Sequence, residues 1–74
     1  MATVEVKSDI TGVVWKILVM EGAEVSEDDV VAILESMKME IPVTSPVDGV
    51  VKEIWAQEGS LIAEGEALLL LQTK

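Results

Sequence analysis

The residues best suited to chemistry in this chain are a lysine between two methionines, Met37-Lys38-Met39, with Glu35 and Glu40 on either side. Exposed turns usually carry Gly, Asn, Asp or Pro, which tolerate the required backbone angles or make local hydrogen bonds. A lysine amine is a nucleophile only without its proton, and a free one has a pKa of about 10.4. We therefore do not expect Lys38 to react unaided at neutral pH.

The composition leaves few other groups for catalysis. The chain contains no cysteine and no histidine, so it lacks thiolate nucleophiles, the usual zinc ligand and the usual general base. Its net charge of −9 disfavours contact with phosphate backbones and anionic lipids. We predict a protein that is not an enzyme, with no catalytic residues, no metal site and neither nucleic-acid nor membrane partners.

Length and hydropathy indicate one folded domain, predicted over residues 1–74. A chain of this size buries only about 60% of the surface that it exposes when unfolded, so its core is thin. The longest apolar runs have five residues, whereas a membrane span needs about 20. The N-terminus shows no basic region followed by an apolar stretch, so we expect no signal peptide and a cytoplasmic location.

The sequence repeats itself at an offset of 37 residues. Without gaps, residues 12–14 align with residues 49–51, and Ile17 aligns with Ile54. A unit of this length that occurs only twice is too short an array for a solenoid. The repeat instead indicates two similar halves that pack face to face around a pseudo-twofold axis.

Each half has the pattern of short strands. Val, Ile and Leu dominate, turn signals recur about every ten residues, and no segment holds a helical period for long. Alternation fails near Lys16 and Glu53, where a β-bulge would add one residue and increase the twist. We predict an all-β fold, a flattened barrel or sandwich of about eight short strands, with Ile17 and Ile54 as equivalent core positions.

The repeat aligns the turn around Lys38 with the ends of the chain. The offset carries Lys38 one position past the C-terminus in one direction and onto residue 1 in the other. Its turn therefore occupies in the first half the place that the chain ends occupy in the second. If the twofold holds, Lys38 lies at the tip of a hairpin at one end of the molecule, where it can be presented to other proteins.

The segment ESMKME, from Glu35 to Glu40, resembles the modified-lysine motif of biotinyl domains, the carrier modules of biotin-dependent carboxylases. The stretches ITGVVWKILVMEGAEV and SPVDGVVKEIWAQEG resemble the segments that precede and follow the lysine in that family, so the likeness extends from about Val4 to Leu71. The resemblance implies a flattened barrel of two four-stranded antiparallel sheets with pseudo-twofold symmetry and the lysine on a tight hairpin.

The resemblance also implies a function. A biotin–protein ligase would attach biotin covalently to Lys38, and the flanking Glu35, Met37, Met39 and Glu40 would contribute to recognition. Biotin would then carry a carboxyl group from a biotin carboxylase site to a carboxyltransferase site of a carboxylase, such as an acyl-CoA carboxylase. The domain would be a non-catalytic biotin carboxyl carrier that supplies positioning and a high effective concentration.

Several alternatives remain open on the sequence. A lipoyl domain has the same fold and a modified hairpin lysine, so a lipoyl-accepting or dual attachment protein is the alternative, with lipoate as cofactor. That family, however, typically has an acidic or small residue before the lysine and a small one after it, unlike Met37 and Met39. The two methionines could also fill the core, and Glu35 and Glu40 could be solvated strand ends. An unmodified barrel like that of membrane-fusion proteins would need a long helical insertion at the hairpin.

Overall fold

Eight β-strands make up the fold over residues 2–73, the part that the computed structural model describes. The strands are β1 (Thr3–Lys7), β2 (Gly12–Ile17), β3 (Glu24–Val25), β4 (Val30–Ser36), β5 (Met39–Thr44), β6 (Gly49–Ile54), β7 (Leu61–Ile62) and β8 (Ala67–Thr73). No helix that could span a membrane occurs in this range. The domain predicted over 1–74 also includes Met1 and Lys74, which lie outside the described residues.

The strands form two four-stranded antiparallel sheets. The hairpin sheet has the order β5-β4-β2-β7, and the opposite sheet has the order β1-β8-β6-β3. The offset of 37 residues carries β1 onto β5, β2 onto β6, β3 onto β7 and β4 onto β8, so the pseudo-twofold exchanges the two sheets. The predicted all-β fold of two four-stranded sheets is confirmed, in a molecule measuring 37 × 17 × 17 Å.

The two halves interleave, which corrects the prediction that they simply pack face to face. Each sheet takes two strands from each half, because β3 crosses to pair with β6 and β7 crosses to pair with β2. Equivalent hydrogen bonds of 2.7 Å, from Gly22 N to Val51 O and from Gly59 N to Val14 O, join the halves. The exchange lets each half complete the sheet of the other, since two short strands alone are marginally stable.

The bulges occur where the alternation of the sequence fails. The register of β2 against β4 shifts between Val14 and Lys16, and that of β6 against β8 shifts between Val51 and Glu53. Each shift leaves one extra residue in the strand and increases its twist. The bulges predicted near Lys16 and Glu53 are therefore confirmed, and their twist helps two short sheets to close around one core.

The core between the sheets is aliphatic and follows the twofold. Leu34 and Leu71, which are equivalent, are both fully buried. The clustered residues are Val6, Val14, Val25, Val31, Leu34, Val51, Ala56, Ile62, Leu68, Leu69 and Leu71. Ile17 and Ile54 are only partly buried and pack against this cluster, because each is the last residue of its strand, beyond the bulge. The prediction of full core positions for these two was too strong.

Gly12 lets β2 pass close to β4 beneath the hairpin. A Cβ atom on Gly12 would lie 2.6 Å from the carbonyl oxygen of Glu35, and one on Gly49 would lie 2.5 Å from that of Gln72. Both distances are far inside van der Waals contact. These two glycines serve close backbone approach rather than a turn, and Gly12 sets how near β2 lies to the strand that carries Glu35.

Candidate functional site: the Lys38 hairpin

Lys38 lies in a two-residue loop that joins β4 to β5. The strands pair as far as Ser36 and Met39, so only Met37 and Lys38 form the connection. Their φ angles are 52° and 65°. Positive φ at both central residues defines a type I′ turn, whose twist matches that of the flanking strands. The structure thus places the lysine at the tip of a tight hairpin.

The backbone of this turn is unfavourable for the residues that occupy it. A residue with a Cβ atom in the left-handed region costs roughly 1–2 kcal/mol, and type I′ turns normally use Asn-Gly to avoid this cost. Met37 gains no burial in return, because its side chain is 92% exposed. Strained residues of this kind cluster at functional sites. The residue types at the tip therefore serve something other than the stability of the turn.

The amine of Lys38 is not engaged by any other group of the described residues. Among residues 2–73 it has no hydrogen-bond or ion-pair partner, whereas the Lys7 amine lies 3.9 Å from Glu5 Oε1. The Lys38 side chain is exposed. It can therefore enter the active site of another protein without breaking a contact within this one, as covalent attachment of a cofactor to the amine requires.

The two acidic residues predicted to flank the lysine form a pair across the hairpin. Glu35 on β4 lies directly opposite Glu40 on β5, and both are exposed. Like charges in directly opposite positions destabilise antiparallel strands by up to about 1 kcal/mol. Two carboxylates thus stand together at the base of the turn, on the strands that lead to and from Lys38.

Met37 and Met39 are surface residues, so the interpretation that they fill the core is wrong. Their side chains are 92% and 64% exposed. Methionine side chains are flexible and polarizable and suit surfaces that several partners must accept. The structure brings the predicted flanking residues Glu35, Met37, Met39 and Glu40 together around Lys38 on one exposed hairpin.

Strand register adds two residues that the sequence reasoning missed. Val13 on β2 lies opposite Glu35, and Leu61 on β7 lies opposite Val13. Leu61 is 71% exposed although it is apolar. The offset of the repeat aligns Leu61 with Glu24. That mismatch within an otherwise similar pair of segments was the signal that could have identified it.

Known proteins are similar to this chain in sequence. The model of a family described as "Biotin-requiring enzyme" matches residues 2–71. Biotinylated protein TB7.3 of Mycobacterium tuberculosis is 49% identical over 39 residues, which cover 53% of this chain and 55% of that protein. Its homolog in Mycobacterium leprae is 46% identical over the same shares. The match thus spans about half the length of these relatives.

Solved structures share the fold. A single-chain, multi-domain long-chain acyl-CoA carboxylase superposes with a TM-score of 0.91 over 97% of this chain and 7% of that chain, at 21% identity. Kluyveromyces lactis urea carboxylase gives a TM-score of 0.91 over 97% of this chain and 6% of that chain, at 28% identity. Since the family model covers nearly the whole sequence, the resemblance is confirmed: the chain belongs to the biotin-requiring enzyme family and is a biotinyl domain.

Proposed function

We propose that Lys38 is the attachment site of biotin and that the domain is the carboxyl carrier of a biotin-dependent carboxylase. The observation that carries the proposal is the strained type I′ hairpin, which presents a lysine amine without a partner in residues 2–73. The names of two similar proteins, a biotinylated protein and a urea carboxylase, support the same function. Lipoate, the alternative cofactor, has no such support.

Attachment requires a biotin–protein ligase as partner. Only an unprotonated amine is a nucleophile, so the ligase must supply a base for the proton that Nζ of Lys38 loses on acylation. The amine then attacks the acyl carbonyl of biotinyl-adenylate, which the ligase makes from biotin and ATP with release of pyrophosphate. An amide bond forms and AMP leaves. The chain contributes an accessible nucleophile at a fixed place and no catalytic residue.

As a carrier, the domain acts through tethering. When bound, biotin supplies a ring nitrogen that takes up and releases a carboxyl group. The biotin carboxylase and carboxyltransferase are the proposed partners. The biotinylated Lys38 side chain forms an arm, and tethering raises the effective concentration of this arm at both active sites. The rigid barrel confines the mobile part to the Lys38 side chain, so only the arm needs to enter each active site. We propose that the domain carries out this transfer in the cytoplasm.

The intact mass of the protein, incubated with biotin–protein ligase, biotin and ATP, tests the attachment site. We expect one biotin, mapped to Lys38, and none on Lys38→Arg, which keeps the charge but loses the primary amine. Lys16→Arg and Lys52→Arg are the matched controls and should be modified at the wild-type rate. Biotin mapped to Lys7, Lys16, Lys52 or Lys74 instead would show that the site is assigned wrongly.

The flanking methionines are proposed to favour biotin over lipoate. Replacing Met37→Asp together with Met39→Ala gives the hairpin the flanks typical of lipoyl domains, and both side chains are exposed, so the core is untouched. We expect biotinylation to slow by about tenfold and lipoylation to rise, since specificity is a difference of two affinities. Initial rates with each purified ligase measure both effects. Equal biotinylation rates for the double variant and the wild type would remove the methionines from the recognition site.

A further inference from the structure

The pseudo-twofold gives every residue on the outer face of one sheet a counterpart on the other. One row, a single pair below the Ser36–Met39 pair at the turn, crosses the hairpin sheet through Leu61, Val13, Glu35 and Glu40. The equivalent row of the opposite sheet contains Glu24, Val50, Gln72 and Thr3. The hairpin sheet thus has an exposed leucine in place of a glutamate, and two carboxylates in place of a neutral pair.

The difference continues beyond this row. Trp15 occupies the bulge of β2, where Lys52 occupies the bulge of β6, and Trp15 is 43% exposed. On the edge strands, Pro42 of β5 has Glu5 of β1 as its counterpart. At these positions, as at Leu61, an apolar side chain on the hairpin sheet replaces a charged one on the opposite sheet.

The barrel does not need these apolar residues in order to fold. The opposite sheet folds with the same register and the same bulge while it carries charged residues at the equivalent positions. Contiguous exposed apolar side chains are unfavourable in water and typically mark contact surfaces, at which tryptophan and methionine are enriched. The one-sided apolar residues therefore have the character of a contact surface, and Leu61 lies in the row of Val13 and Glu35.

We propose that the outer face of the hairpin sheet is where the biotin–protein ligase docks, an inference that rests on the proposed biotinylation of Lys38. The docking face is defined by Val13, Trp15 and Leu61 together with the Glu35–Glu40 pair. Its chemistry specifies the occupant: an apolar ligase surface covers the three apolar side chains, and basic side chains of the ligase lie against the two carboxylates.

Two arguments favour the ligase over other partners: how closely a partner must approach the hairpin to contact Lys38, and the net charge of the chain. The ligase must admit Nζ of unmodified Lys38, whose side chain is shorter than the biotinylated one, so it has to approach the row that contains Glu35. A carboxylase partner instead acts at the far end of an arm lengthened by biotin. A second copy of the chain is disfavoured because each copy carries a net charge of −9. A basic rim on the ligase would complement that charge and speed association.

Steady-state biotinylation kinetics with purified ligase test the docking face. Leu61→Glu and Trp15→Lys each introduce the residue type that the opposite sheet carries at the equivalent position, so the framework should tolerate them. We expect each to raise the KM for the domain by about tenfold while kcat changes by less than about twofold, as loss of a contact surface does. Urea midpoints close to that of the wild type would exclude unfolding as the cause.

Two matched controls separate docking from general charge effects. Met20→Glu adds the same charge as Leu61→Glu at a side chain of similar exposure, 75% against 71%, in the turn between β2 and β3. Lys52→Trp changes the equivalent bulge on the opposite sheet. Neither should change the KM. The double variant Glu35→Gln with Glu40→Gln should also flatten the rise of KM with salt, because it removes the charges that the basic rim contacts.

The outcomes are distinguishable. If the wild type is biotinylated and the KM is unchanged in Leu61→Glu and Trp15→Lys, the docking face is wrong and the proposed function stands. A wild type that takes up no biotin overturns the proposed function itself. If sedimentation shows a wild-type dimer that these two variants dissociate, with KM unchanged, the face is a contact between copies and ligase docking is again overturned.

Discussion

Two regions that the pseudo-twofold makes equivalent are built differently. The Lys38 hairpin joins β4 to β5 through two residues with positive φ. At the equivalent place, where β1 begins and β8 ends, Thr73 N donates to Ala2 O at 2.8 Å and Ala2 N donates to Thr73 Oγ1 at 3.0 Å. The fold closes that end with ordinary hydrogen bonds. The strained turn at the other end is therefore a property of the site rather than a demand of the barrel.

Positions that do match across the twofold serve the framework. Ser8 and Ser45 are equivalent and buried, and each hydroxyl donates to a carbonyl two residues on, that of Ile10 and that of Val47. Burial of a polar group is costly unless it is hydrogen-bonded, and here both copies solve the problem in the same way. A residue kept with its contacts in both halves is structural, whereas one-sided residues such as Lys38 are candidates for function.

The prediction with the largest expected effect concerns whether equivalent core positions contribute equally to the free energy of unfolding. Leu34→Ala and Leu71→Ala remove equivalent, fully buried side chains, and each should lower the free energy of unfolding by about 2–5 kcal/mol. Urea titrations with matched m-values measure both losses. Ile17→Ala and Ile54→Ala, which are partly buried, should cost less than either leucine. A difference above about 2 kcal/mol between the two leucine variants would break the equivalence, since Leu→Ala costs at unrelated buried sites already differ by about that much.

Most of the fold could be predicted because the chain repeats locally. The offset of 37 residues, the turn signals and the lost alternation at Lys16 and Glu53 are all visible within short windows. They predicted the twofold, the strands and the bulges, and the alignment of the Lys38 turn with the chain ends predicted its hairpin. The family resemblance then predicted a biotinyl domain. These features need no knowledge of which distant strands pair.

The features that sequence could not supply all depend on long-range register. The interleaving of the halves follows from the pairing of β2 with β7, whose residues lie far apart in the chain. The same pairing brings Leu61 beside Val13, which pairs with Glu35 of β4 on its other side. The partial burial of Ile17 likewise depends on where β2 ends relative to its neighbours. Periodicity assigns a face to a residue but does not identify its neighbours on that face.

A smaller effect, with the opposite sign, tests the strain at the hairpin. Met37→Asn with Lys38→Gly installs the sequence that type I′ turns prefer and should raise the free energy of unfolding by about 1–2 kcal/mol. Biotinylation should be lost at the same time. Met37→Asn alone is the control, and it should gain part of the stability while it still accepts biotin. Urea titration and intact mass measure the two properties. No gain in stability would mean that the turn costs the fold nothing.

The smallest effect separates the lysine from the framework. Lys38→Ala should change the free energy of unfolding by less than about 0.5 kcal/mol, as surface substitutions usually do. The amine has no partner among the described residues, and alanine keeps the Cβ atom, so the cost of positive φ is the same in both proteins. The lost positive charge from a chain of net charge −9 adds only a weak, salt-screened repulsion. The urea titration used for the leucine pair serves as the measurement, with Lys52→Ala as the control on the opposite sheet. A loss of unfolding free energy as large as that of Leu34→Ala would show that Lys38 contributes to the stability of the barrel. The hairpin lysine would then be a structural residue.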